Sequence, residues 1–178
     1  MELPEEKIRE IIVRVSAYFR REREHYLPSS IPLTQSQKEL VQSYFSGALL
    51  DAVRLLTLKG ARIGNPPFFD DVKALGFTSF PEFKHLSSFT YIDVIVFHEQ
   101  IAPRTLFHGL VHAAQFALLG VDHYVDMYVR GFVKSGLWIA IPLEEHAFKS
   151  EARFALSRPE VFSMEAEIRL WELQGRYR

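Results

Sequence analysis

His108 and His112 lie one helical turn apart in the segment LFHGLVHAAQFALLG, where Gln115 is the only other polar side chain. Spacings of four and seven residues put all three on one stripe of a helix. Imidazoles at i and i+4 can bring two ring nitrogens to one zinc ion at about 2.0 to 2.1 Å. The alternative is a metal-free structural helical domain in which these are core histidines with hydrogen-bond partners. A buried polar group left without a partner costs roughly 1 to 3 kcal/mol, and a shared ligand would satisfy the histidines together. The chain has no cysteine, which removes thiolate ligands and disulfides and leaves nitrogen and oxygen donors. Downstream, Pro142 opens a second helix carrying Glu144, Glu145 and Glu151. Glu144, Ala147 and Glu151 share one side of that helix, and Glu145 points about 100° away. Glu144 is therefore the expected third ligand, although acids in a first turn are also favoured by the helix dipole alone.

The elements that must hold these groups follow from periodicity and breakers. Pro4 starts an amphipathic helix with Ile8, Ile11, Ile12, Val15 and Phe19 on its apolar face. After the breaker LPSSIP, Thr34 and Gln37 form a capping signature for a helix to about Phe45. Val53 to Leu58 reads as a strand that ends in a turn at Lys59-Gly60, and Asp70 to Leu75 as a short helix. Thr90 to Phe97, alternating and rich in β-branched and aromatic residues, reads as a second strand. Pro103 opens the two-histidine helix and Gly120 stops it; a helix from Val121 to about Lys134 follows, then an extended link LWIAIP. The Pro142 helix runs to Ser157, and Ser163 caps a last helix to Leu173. The sum is an α+β, helix-dominated single domain, 1-178, with a small sheet packed on the two-histidine helix. Residues 1-39 form an N-terminal helical extension, 40-155 the core and 156-178 the C-terminal helix.

Composition narrows the partners. With 178 residues and a formal net charge of -1, there is no basic footprint for nucleic acid or an anionic membrane surface. The N-terminal MELPEEKIRE lacks the pattern of a signal peptide. The apolar stretch from Ile101 to Leu119 is interrupted by Arg104, the two histidines and Gln115, so it fails as a membrane span. The expectation is a cytoplasmic protein. Oligomeric state is left open.

The two motifs, His108-Gly109-Leu110-Val111-His112-Ala113-Ala114-Gln115 and Pro142-Leu143-Glu144-Glu145-His146-Ala147, resemble the zincin-like metallopeptidases of the gluzincin type. In particular they resemble small bacterial proteins with an HELxHxxQ helix followed by a PxExxA helix. The resemblance spans roughly residues 40 to 155. It implies zinc on His108, His112 and Glu144, a fourth position open to water, and pairing of an extended peptide along the preceding strand. Peptide or protein would then be the partner. The departure is Gly109, which stands where that family has its general-base glutamate. Loss of a general base typically costs about 10² to 10⁴ in rate. A degenerate, zinc-binding protein with little or no peptidase activity is thus the first expectation, and an active zinc hydrolase with a relocated carboxylate base the second. Glu145 and Glu151 are the candidate replacement bases, with His98 and Glu99 at the strand end behind them. His123, Tyr124 and Tyr128 are candidate oxyanion donors, equally consistent with an ordinary amphipathic helix. Gln115 is expected to orient a ligand rather than touch the metal.

Overall fold

The structure, a computed structural model, describes residues 3–156 and 160–178. Helix α1 (Glu5–Tyr26) has acids in its first turn and packs Val15, Tyr18 and Phe19 into the core. A 3-10 turn at Leu27–Ser29 and the two-residue strand β1 (Ile31–Pro32) occupy the segment expected to be only a breaker. Helix α2 (Gln35–Val41) begins with the capping box of Thr34 and Gln37. It ends four residues before the expected Phe45, because Ser46 caps a separate short helix, α3 (Gly47–Ala52). Strand β2 (Arg54–Thr57) ends at the Lys59-Gly60 turn, where both residues have positive φ. Helix α4 (Phe69–Ala74) follows.

The segment Thr90 to Phe97 is not one strand. It is most of a hairpin, β3 (Ser88–Tyr91) and β4 (Val94–Phe97), closed by Ile92 and Asp93. Ile92 sits at φ +64°, a region that β-branched residues rarely adopt. Arg23 on α1 holds the turn with a two-pronged contact to Asp93, Nε to Oδ1 at 2.7 Å and Nη2 to Oδ2 at 2.8 Å. The sheet order is β1-β2-β4-β3, with β2 and β4 parallel and the outer pairs antiparallel. Strand β4 is therefore interior and fully buried, and β3 forms the edge.

Helix α5 (Pro103–Leu119) runs through the centre, against β3 and β4 on one side and α6, α7 and α8 on the others. Gly120, at φ +77°, ends it and starts α6 (Val121–Ser135) at once. The link from Leu137 to Pro142 is not extended throughout; Trp138–Ala140 form a 3-10 turn. Helix α7 (Pro142–Phe154) follows, and the expected helix end at Ser157 lies outside the described residues. Helix α8 (Met164–Leu173) is capped by Ser163 and packs on α5. Among the described residues no helix is long and apolar enough to cross a membrane.

Candidate metal centre

Helices α5 and α7 pack side by side and bring His108, His112 and Glu144 to one point. The Nε2 atoms of His108 and His112 are 3.1 Å apart. Glu144 Oε2 lies 3.6 Å from the first and 3.3 Å from the second. A tetrahedral ion with bonds of about 2.0 Å has ligand-to-ligand edges of about 3.3 Å. The three measured separations straddle that value.

The far side of each histidine decides what these nitrogens carry. Gln115 gives its amide N–H to the Leu143 carbonyl at 3.1 Å, which only the amide nitrogen can do. Its oxygen consequently faces His112 Nδ1 at 2.9 Å and requires a proton there. The Tyr124 hydroxyl lies 3.2 Å from the same Nδ1. His108 Nδ1 likewise faces Glu151 Oε2 at 3.1 Å, and Arg104 holds the other oxygen of Glu151 at 2.8 Å. With both Nδ1 atoms protonated, neutral imidazoles turn their Nε2 lone pairs toward each other and toward Glu144 Oε2. That oxygen is buried and, among the described residues, accepts no hydrogen bond.

Three electron pairs converging on one point repel unless a cation sits among them. A proton is the minimal cation. Burial opposes charge on His108, but Glu144 and Glu151 outweigh it and raise its pKa to about 9. Burial would also raise the Glu144 carboxyl, yet the adjacent imidazoles hold it well below the usual carboxylate range. Glu151 is lowered chiefly by its hydrogen bond to His108. A divalent metal fits the same place, and the Nδ1 contacts are those that ordinarily orient metal-bound imidazoles.

The donors open onto a cavity of about 350 Å³. Phe19, Phe89, Tyr124, Tyr128, Trp138 and Phe148 form much of its wall, and the edge strand β3 lies along one side. The strand expected to offer a peptide-pairing edge is thus split: β4 is sealed inside the sheet, and β3 alone borders the cavity. Aromatic residues from Pro66 to Phe89 are mainly core, as Phe68, Phe69, Phe77 and Phe83 are buried.

The other sequence candidates divide clearly. Glu151 meets the distal face of His108, and Glu145 is paired with Lys149 on the outer side of α7, away from the cavity. Gly109 faces the sheet, where a Cβ would lie 2.7 Å from Ile95 Cγ2 and 3.3 Å from Thr90 Oγ1. These two side chains fill the space beside Gly109. His98 accepts the Ile63 backbone N–H at 2.9 Å, and Glu99 pairs with Arg62. His123 binds Glu172 at the surface, 2.9 Å away, so of the expected oxyanion donors only Tyr124 and Tyr128 reach the cavity.

Trp138 and Arg104 went unassigned in the sequence. Arg104 follows the helix-opening Pro103 and gives no periodic signal. Trp138 becomes relevant only because the 3-10 turn aims its indole at Glu144, 3.1 Å away.

No protein-family model, curated protein or solved structure matches this chain.

Proposed function

We propose that the protein is a zinc-binding, metallopeptidase-like domain that has little or no peptidase activity. His108, His112 and Glu144 would hold the ion, and its fourth position would face the cavity. The observation that carries this reading is the convergence of two imidazole lone pairs and one buried carboxylate oxygen at tetrahedral-edge separations. Nitrogen and oxygen donors in this ratio suit zinc better than calcium or magnesium, which prefer all-oxygen sites. Bound zinc would supply Lewis acidity. The chain's own part is to orient the ligands through Gln115 and Glu151 and to keep the site walled by aromatic rings.

Weak or absent hydrolysis follows from what surrounds the ion. A general base must come within about one hydrogen bond of the water it deprotonates, directly or through one further water. Position 109 has no side chain, and Ile95 and Thr90 fill the adjoining space. Glu151 is engaged behind His108, and Glu145 faces Lys149 at the surface. The likeness of the two motifs to gluzincin-type zincins supports the same ligand assignment.

The test is metal analysis of protein purified without a histidine tag and without chelator. About one zinc per chain is expected, with thermal stabilisation when zinc is returned to stripped protein. His108→Ala and Glu144→Gln should abolish both effects, and broad peptide libraries should be left uncut. Stripped wild-type protein that neither binds zinc nor shifts its melting temperature overturns the reading.

A further inference from the structure

The two oxygens of Glu144 have opposite surroundings. Oε1 accepts the Tyr128 O–H at 3.3 Å and the Trp138 indole N–H at 3.1 Å, and the same N–H reaches the Tyr128 oxygen at 2.8 Å. Oε2 accepts no hydrogen bond among the described residues and faces the two imidazole nitrogens. An indole N–H is only a donor and cannot itself ligate.

The path of the chain reinforces the asymmetry. Gly136, at φ +67°, lets the link turn out of α6, and the 3-10 turn leaves Leu137 and Ile139 51% and 61% exposed. The turn directs Trp138 inward, edge-on to Phe148 at 5.9 Å and onto Glu144. Two apolar side chains are left in water while the indole meets one carboxylate oxygen, an arrangement that apolar burial alone does not favour.

We propose that Trp138 and Tyr128 are positioning residues that hold Glu144 to one-oxygen coordination through Oε2, which keeps a coordination position open toward the cavity. The inference rests on the metal reading above. A carboxylate free of such donors can close on a metal with both oxygens and fill the position a water or anionic ligand would use. Capping Oε1 with two donors leaves Oε2 as the available electron pair.

Cobalt(II) in place of zinc tests this, because four-coordinate cobalt absorbs visible light several-fold more strongly than five-coordinate cobalt. Wild-type protein loaded with cobalt is expected to show the intense four-coordinate band. Trp138→Phe and Tyr128→Phe each remove one donor and keep a ring. Their combination should weaken the band several-fold as Oε1 joins the metal. A folded, cobalt-loaded double variant with the wild-type spectrum overturns the proposal, as does a five-coordinate spectrum from the wild type. If the double variant does not fold, Trp138→Phe alone decides, since Trp138 lies on a surface turn and is only partly buried. Its band must weaken measurably, and an unchanged band counts against the proposal. Failure of the wild type to bind cobalt or zinc at all sinks the metal reading instead, and this inference with it.

Discussion

Replacing Gly109 by alanine should destabilise the protein, although alanine is ordinarily better than glycine inside a helix by about 1 kcal/mol. The new Cβ would stand 2.7 Å from Ile95 Cγ2, 3.0 Å from Ile95 Cδ1 and 3.3 Å from Thr90 Oγ1. Ile95 is fully buried on the interior strand β4, and a β-branched side chain has little χ1 freedom to move aside. Thr90 is also tied to the helix by its hydroxyl, which donates to the Gly109 carbonyl at 3.2 Å. Overpacking typically costs about 1 to 3 kcal/mol. Set against the propensity gain of about 1 kcal/mol, the net loss is about 1 kcal/mol, or roughly 2 to 4 °C in melting temperature for a chain of this size. Thermal and urea denaturation of the metal-free proteins measure it. In an Ile95→Ala background both offending carbons are gone, so the same Gly109→Ala change should become neutral or stabilising. A higher melting temperature for Gly109→Ala in the otherwise unchanged chain would refute the steric argument. Gly109→Glu is expected to be worse, because it drives a carboxylate into the same apolar seam. It should not create hydrolysis, because the packing keeps the carboxylate from the site; a folded, peptide-cleaving Gly109→Glu variant would contradict the packing argument and show that the missing base alone accounts for inactivity.

The pH dependence of the metal-free protein follows from His108, whose pKa is raised to about 9 against an unfolded value of about 6.5. A raised value means that the protonated form stabilises the fold. The contribution is full below about pH 6.5, declines as pH rises and is lost above about 9; the shift corresponds to ~3 kcal/mol. Melting temperature should fall across that window in stripped protein and fall less when zinc is bound. Zinc uptake at pH 7.5 should release close to one proton, measurable by calorimetry in two buffers of different ionisation enthalpy; no release would count against the assignment. For Glu151→Ala, zinc affinity measured by chelator competition should drop about 10-fold or more, as expected when a metal-bound imidazole loses its orienting carboxylate. An affinity within twofold of wild type would show that Glu151 does not position His108.

Much of the local structure was legible because it is written in short-range chemistry. Thr34 and Gln37 announce a capping box that forms as expected. Pro103 and Gly120 bracket α5, and Pro142 opens α7. Single residues also hid boundaries. Ser46 caps a helix in the stretch between Phe45 and Val53, to which the sequence pattern assigns no element. Ile92 makes a turn that no glycine or asparagine advertises, stabilised by Arg23 from a helix 70 residues away in sequence. A β-branched residue with positive φ cannot be anticipated from propensity, because the compensating contact is remote.

The histidine pair illustrates the same division. Residues i and i+4 share a helix face whatever the fold, so the spacing of His108 and His112 and the direction of Glu144 relative to Glu145 follow from helical geometry alone. The absence of cysteine bounds the donor set in the same way. Side-by-side packing of α5 and α7 is a different matter, since it depends on burial of α5 against the sheet and α8 and of α7 against α5 and α6. That packing turns Glu151 from a candidate base into a partner of His108 Nδ1, and it sets the Gln115 amide so that the His112 lone pair faces inward. It also presses Gly109 against Ile95, so a position that reads as a missing catalytic residue is also a point of close helix-to-sheet contact. Spacing along one helix names the groups able to meet, whereas lone-pair direction depends on neighbours contributed by other elements, which only the packed chain brings within hydrogen-bonding distance.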